Sequence, residues 1–123
     1  MKKPLLLLSL ALLTLGLQAC SPHPGAGHWQ AQNGSDSRFT HITVEFDGKA
    51  DLKPSDAKAE NQRCFWSGKD AQTIQMQCTI GDDTGVEFQY LLNIDTGNGE
   101  AIATLSLDGK SIGRYHRLQQ TQQ

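Results

Sequence analysis

From about residue 28 onward, apolar side chains recur at every second position in short runs, and each run ends in a turn signal. The turns are marked by Asp47-Gly48, Ser67-Gly68, Gly81-Asp82-Asp83-Thr84-Gly85, Thr96-Gly97-Asn98-Gly99 and Asp108-Gly109. A period of two with turn residues at this spacing predicts an antiparallel meander. Register provides a test, because a slip of one residue turns a strand's whole apolar face outward. A loop over 96–99 sets Ile94 opposite Ala101, Leu92 opposite Ala103, Tyr90 opposite Leu105 and Phe88 opposite Leu107. A loop over 81–85 sets Ile80 opposite Val86, Cys78 opposite Phe88, Met76 opposite Tyr90 and Ile74 opposite Leu92. A loop over 69–73 sets Trp66 against Met76 and Cys64 against Cys78. A turn at Asp108-Gly109 sets Leu105 against Ile112, and a loop over 47–49 sets Phe46 against Ala50 and Val44 against Leu52.

These hairpins share one apolar face. The other face carries Thr73, Gln75, Gln77, Thr79, Glu87, Gln89, Asn93, Thr104 and Ser106, as expected of a sheet with one wet side. With an entry strand at about 28–32, the count is about eight strands. Nothing in the chain offers a helix apolar enough to cover the shared face, and Lys53 to Gln62 is too polar to do so. A sheet without a cover closes on itself, so an all-β, up-and-down barrel is expected, with a two-sheet sandwich as the alternative. Cys64 and Cys78 then face each other on the core side of adjacent strands, within reach of a disulfide.

Ahead of the meander stands a different pattern. Met1-Lys2-Lys3-Pro4 is positive, and Leu5 to Leu17 is a run of 13 residues without a charge. This is the layout of a secretory signal peptide, too short for the roughly 20 residues of a mature membrane span. Leu17-Gln18-Ala19-Cys20 resembles the lipobox of bacterial lipoproteins, with Leu at −3, a small residue at −1 and Cys at +1. The resemblance implies cleavage before Cys20 and lipidation of that cysteine, which anchors the chain to a membrane. Ser21 after it resembles the pattern sorted to the outer membrane, so the expected location is the periplasmic face of a Gram-negative outer membrane. The expected organisation is a signal peptide at 1–19, a lipidated flexible tether at 20–27, a barrel at 28–118 and a disordered tail at 119–123.

Composition agrees with one secreted domain. Without residues 1–19 the chain has 104 residues, and its 9 basic against 13 acidic side chains give a net charge of −4. With no basic run, nucleic acid is not an expected partner. An oxidising compartment is also where a Cys64–Cys78 disulfide persists.

Candidate chemistry is sparse. Gly27-His28-Trp29 on the first strand, with Arg114 on the last, resembles the lipocalin and calycin arrangement, in which a cation covers the tryptophan at the closed end of a barrel. It implies a barrel able to hold a small apolar ligand, with Trp29, Trp66, Met76, Phe88, Tyr90 and Arg114 as candidate ligand-binding residues. The alternative is that these side chains fill the barrel themselves. Ser111-Ile112-Gly113-Arg114-Tyr115 resembles the Ser-Gly-x-x-Tyr loop of bacterial lysozyme-inhibitor lipoproteins, with Ile112 intervening. That resemblance implies contacts from Ser111 and Tyr115 to a cell-wall-degrading enzyme. Phe65, Leu91, Ile102 and Tyr115 fall on the polar face and are candidate protein contacts. The four histidines lack compact ligand spacing. Gly109-Lys110-Ser111-Ile112-Gly113 and Ser55-Asp56-Ala57-Lys58 match the spacings Gly-x-Ser-x-Gly and Ser-x-x-Lys, but the first begins in the expected Asp108-Gly109 hairpin turn, where the catalytic motif needs a strand-to-helix turn, and the second stands in a polar connection. No cofactor, metal site or catalytic residue is expected. The expected function is a non-enzymatic, membrane-anchored β-domain that binds a small amphiphile or an envelope protein, with inhibition of a cell-wall-degrading enzyme as the alternative and an enzyme acting on envelope components as the third.

Overall fold

The computed structural model describes residues 22–33, 36–81, 86–97 and 99–118. The expected signal peptide, Cys20 and the tail at 119–123 lie outside the described residues. Eight antiparallel strands follow in chain order: β1 (Gly27–Ala31), β2 (Phe39–Val44), β3 (Lys49–Pro54), β4 (Gln62–Asp70), β5 (Thr73–Ile80), β6 (Glu87–Asp95), β7 (Ile102–Leu107) and β8 (Lys110–Arg117). Each pairs with the next, and β1 returns to β8 through Trp29 opposite Arg117 and Ala31 opposite Tyr115, closing the barrel.

The barrel forms because every strand has one apolar face and closure buries all eight faces at once while leaving no unpaired edge. Inside lie Trp29, Phe39, Ile42, Leu52, Ile74, Met76, Tyr90, Leu92, Ile94, Leu105 and Tyr115, each at most 1% exposed. Phe39 meets Tyr90 edge-on with ring centres 5.8 Å apart, and Phe88 stacks on Tyr90 at 6.3 Å. The two buried phenols find partners: Tyr90 donates to Gln62 Oε1 at 2.9 Å, and Tyr115 donates to the Phe39 carbonyl at 2.9 Å.

The β4–β5 and β5–β6 registers are those expected. Trp66 faces Met76, Cys64 faces Cys78, and Met76 faces Tyr90. Cys64 and Cys78 form a disulfide within the core. Two other registers differ from expectation by two residues. Ile94 pairs with Ala103 instead of Ala101, and Val44 pairs with Ala50 instead of Leu52. A two-residue slip preserves the inner and outer faces, so the apolar face survives; its consequence is a longer loop. In the β2–β3 loop this consequence is large: Phe46, expected opposite Ala50, is 77% exposed.

The β7–β8 hairpin differs by one residue, which has the opposite effect. Its Asp108-Gly109 turn is as expected, with φ of 53° and 81°, the left-handed pair of a type I′ turn. Beyond Ser106 opposite Ser111, however, Ile112 bulges out of register and Leu105 pairs with Gly113 instead of Ile112. Every later side chain of β8 is inverted. Tyr115, expected outside, is fully buried, and Arg114, expected inside, is exposed. The bulge avoids burying a guanidinium in an apolar core, which is costly without partners. It places there a tyrosine whose hydroxyl reaches a backbone carbonyl. Gly113 suits the crowded inner position, because a Cβ there would lie 2.7 Å from Tyr115 Oη and 2.9 Å from Ser37 Oγ.

Replacing both Cys64 and Cys78 with alanine should lower the unfolding free energy by about 3 kcal/mol, the chain-entropy value for a loop of this length. Urea denaturation under oxidising conditions measures this, and an unchanged midpoint would count against a stabilising bridge. Burial pushes the Tyr115 pKa up to about 12 from the ordinary 10.0. Above pH 10 the unfolded chain therefore ionises this phenol while the folded chain keeps it protonated, and stability falls as pH rises from 10 towards 12. Tyr115→Phe should make that fall shallower in denaturation midpoints taken across the window; parallel profiles would refute the assignment.

Candidate functional site

One end of the barrel is sealed by the segment that precedes β1. Pro22–Ala26, expected within a tether, lies against this end, with Gly25 and Ala26 buried. The β2–β3 and β6–β7 loops and the β4–β5 turn belong to the same end, since β1 and the other odd-numbered strands start there. The seal is built around Trp29. Its indole donates to the Gly25 carbonyl at 3.0 Å, and the Arg117 guanidinium lies over its face, 4.3 Å from the ring centroid. Arg117 Nη1 also donates to the Ala26 carbonyl at 2.6 Å, and Nη2 donates to the Pro24 carbonyl. Partial burial lowers the Arg117 pKa by desolvation. A guanidinium still stays charged at any physiological pH, so both donors persist.

The glycine two residues before Trp29 has a physical reason. Gly27 has φ of 130°, and a Cβ on it would lie 2.6 Å from Arg117 Nη1. Gly-x-Trp on the first strand is thus coupled to a cation on the last, and the cation is Arg117, not Arg114. The sequence did hold a signal for it: once Ile112 bulges, Gly113, Tyr115 and Arg117 alternate inward as small, aromatic and cationic residues.

His23 fixes the outer part of the segment. Its Nδ1 accepts the Gly25 N–H at 3.0 Å, which leaves Nε2 as the donor to the Asp70 carbonyl at 2.7 Å. Its ring meets Trp66 edge-on at 6.1 Å. Trp66 in turn donates Nε1 to the Glu45 carbonyl at 2.7 Å, tying β4 to the β2–β3 loop.

The candidate ligand-binding residues are therefore not gathered around an interior space. Trp29, Met76 and Tyr90 are closed core, Phe88 is packed on Tyr90, Trp66 stands at the sealed end and Arg114 is outside. The candidate protein contacts are also dispersed. Ser111 and Tyr115 belong to strand β8 instead of a loop, and Tyr115 is buried. Leu91 and Ile102 are half-buried and separated from Phe65 by intervening strands.

Phe65 differs from these. It is 70% exposed on the outer face of β4, between Lys49 of β3 and Gln77 of β5. On one side of it lies a groove of about 590 Å³ lined by Lys49, Asp51, Arg63, Thr79 and Glu87. On the other lies a smaller hollow of about 250 Å³ bounded by Trp66, Ser67 and Gln75. An aromatic ring between two depressions, with charges of both signs around it, is suited to a protein surface: aromatic and arginine side chains are enriched where proteins meet.

Arg117→Ala should remove both carbonyl contacts and the cation above Trp29, freeing the 22–26 segment while β2–β7 remain folded. Hydrogen exchange should accelerate at the amides of Gly25 and Ala26 and change little in β5; unchanged protection at Gly25 would overturn this role.

No protein-family model, curated protein or solved structure matches the chain.

Proposed function

We propose that the chain is a lipid-anchored envelope protein whose barrel is a non-enzymatic scaffold that binds another envelope protein through its outer face. The observation that carries this reading is the contrast between interior and exterior. The inner positions are occupied by the protein's own aromatic and aliphatic side chains, while Phe65 stands exposed beside a charged groove. A small amphiphile within the barrel has no comparable support, and the Ser111–Tyr115 segment offers no loop for insertion into an enzyme cleft.

The anchor rests on the Leu17-Gln18-Ala19-Cys20 resemblance, and Ser21 favours the outer membrane. The Cys64–Cys78 disulfide is in keeping with an oxidising compartment. It also leaves Cys20 as the one cysteine of three available for lipid.

A photo-crosslinking amino acid at position 65 should yield a discrete protein adduct in intact envelopes, and the same probe at Gln89 on the outer face of β6 should not. Equal labelling at both positions, or none at 65, would remove the proposed contact. In the same cells Cys20→Ser should accumulate as an uncleaved precursor without lipid by mass spectrometry; normal processing would remove the anchor.

A further inference from the structure

We propose that the barrel stands on the bilayer with its sealed end down and that Phe46, at the tip of the β2–β3 loop, dips into the membrane interface. This rests on the lipid anchor at Cys20 and adds an orientation and a second contact to it.

The orientation follows from chain length. Cys20 precedes Pro22 by two residues, and an extended chain spans at most about 3.6 Å per residue, so the lipidated cysteine lies within about 7 Å of Pro22. From there on the chain has no slack. His23 is held by the Asp70 carbonyl and by Trp66, while the Pro24 and Ala26 carbonyls are held by Arg117. A free linker would let the domain swing away from the membrane. Here the acyl chains attach almost directly to one end of a rigid barrel, and that end stays near the headgroups.

That same end displays Phe46. A groove of about 850 Å³ is lined by Ala26, Gly27 and Arg117 on one side and by Phe46 and Asp47 on the other. Phe46 thus borders the segment that leads to the anchor, and it is the most exposed large apolar side chain among the described residues. Nothing in the loop buries it: Glu45 and Gly48 use their backbone groups to close the turn, and Gly48 takes φ of 93° to do so. Aromatic side chains beside a lipid anchor bury apolar area at the headgroup boundary and add that burial to the burial of the acyl chains.

Charge narrows the kind of surface. Glu45 and Asp47 flank Phe46, and Asp70, Asp95 and Glu100 lie at the same end. Against them stand Lys49, Lys69 and Arg117, and Arg117 is already occupied by backbone carbonyls. An end with excess carboxylates gains nothing from anionic headgroups, so the matching occupant is a zwitterionic interface.

The mature, lipidated protein, beginning at Cys20 and reconstituted in phosphatidylcholine vesicles, provides the test, with a photo-crosslinking amino acid placed at Phe46 or, separately, at Lys110 in the opposite-end turn. Phospholipid adducts should form at position 46 and be absent at 110. Replacing half the lipid with phosphatidylglycerol should lower the yield at 46 by roughly five-fold for each carboxylate held at headgroup level. Equal lipid labelling at both positions, or a protein adduct at 46 in place of lipid, would overturn the orientation. Intact mass separates the two failures: a chain without diacylglycerol on Cys20 removes the anchor and this proposal with it, whereas a lipidated chain lacking the adduct removes the orientation alone.

Discussion

Arg117 is the side chain through which the first and last strands of the barrel are joined. It comes from the last strand, covers an indole on the first strand and donates to two carbonyls that precede the first strand. A closed barrel of 5- to 9-residue strands has only one place where its beginning and end must meet. Here that place is also the lid of the core. Cation–π attraction, two charge-assisted hydrogen bonds and the indole N–H bond to Gly25 together offset the desolvation that burial imposes on the guanidinium, and each is stronger for the water the others exclude. The absence of a side chain on Gly27 is what lets the guanidinium approach.

The rest of the interior has a simpler logic. Polar groups are admitted only where a partner is fixed: Tyr115 with the Phe39 carbonyl, Tyr90 with Gln62. The bulge at Ile112 serves this rule, exchanging a buried Arg114 for a buried Tyr115. The disulfide lies on the other side of the barrel, across β4 and β5, so closure through β1–β8 and cross-linking through β4–β5 restrain separate parts of the sheet.

A filled core moves functional interest to the surface, and the surface is uneven. The outer face of β3–β6 carries an exposed phenylalanine beside a charged groove, while the sealed end carries another beside the path to the N-terminus. As proposed, these two features meet two different neighbours, a protein at the side of the barrel and a lipid interface at its sealed end. If the proposed anchor at Cys20 holds, the pinned 22–26 segment lets the barrel present both at once.

Alternation of apolar and polar residues was enough to predict about eight antiparallel strands with one apolar face and the facing pair Cys64 and Cys78, with a closed barrel preferred to a two-sheet sandwich; the structure decides for closure. Those features survive errors of two residues, since the side-chain period of a strand is also two; the slips at Ile94 and Val44 changed loops and left the faces intact. An error of one residue is not absorbed, and whether a strand bulges depends on the space around Gly113, which is set by Tyr115 and Ser37 from a distant loop. Only the tertiary structure could decide that Tyr115 points in, that Arg117 and not Arg114 covers Trp29, and that Phe46 is exposed. For the same reason His23 and Pro24 read as tether in a string of Pro and Gly: what holds them is a carbonyl 47 residues away in sequence and a guanidinium 93 residues away. Local pattern encodes which face is apolar. Long-range packing decides which residue finally occupies it.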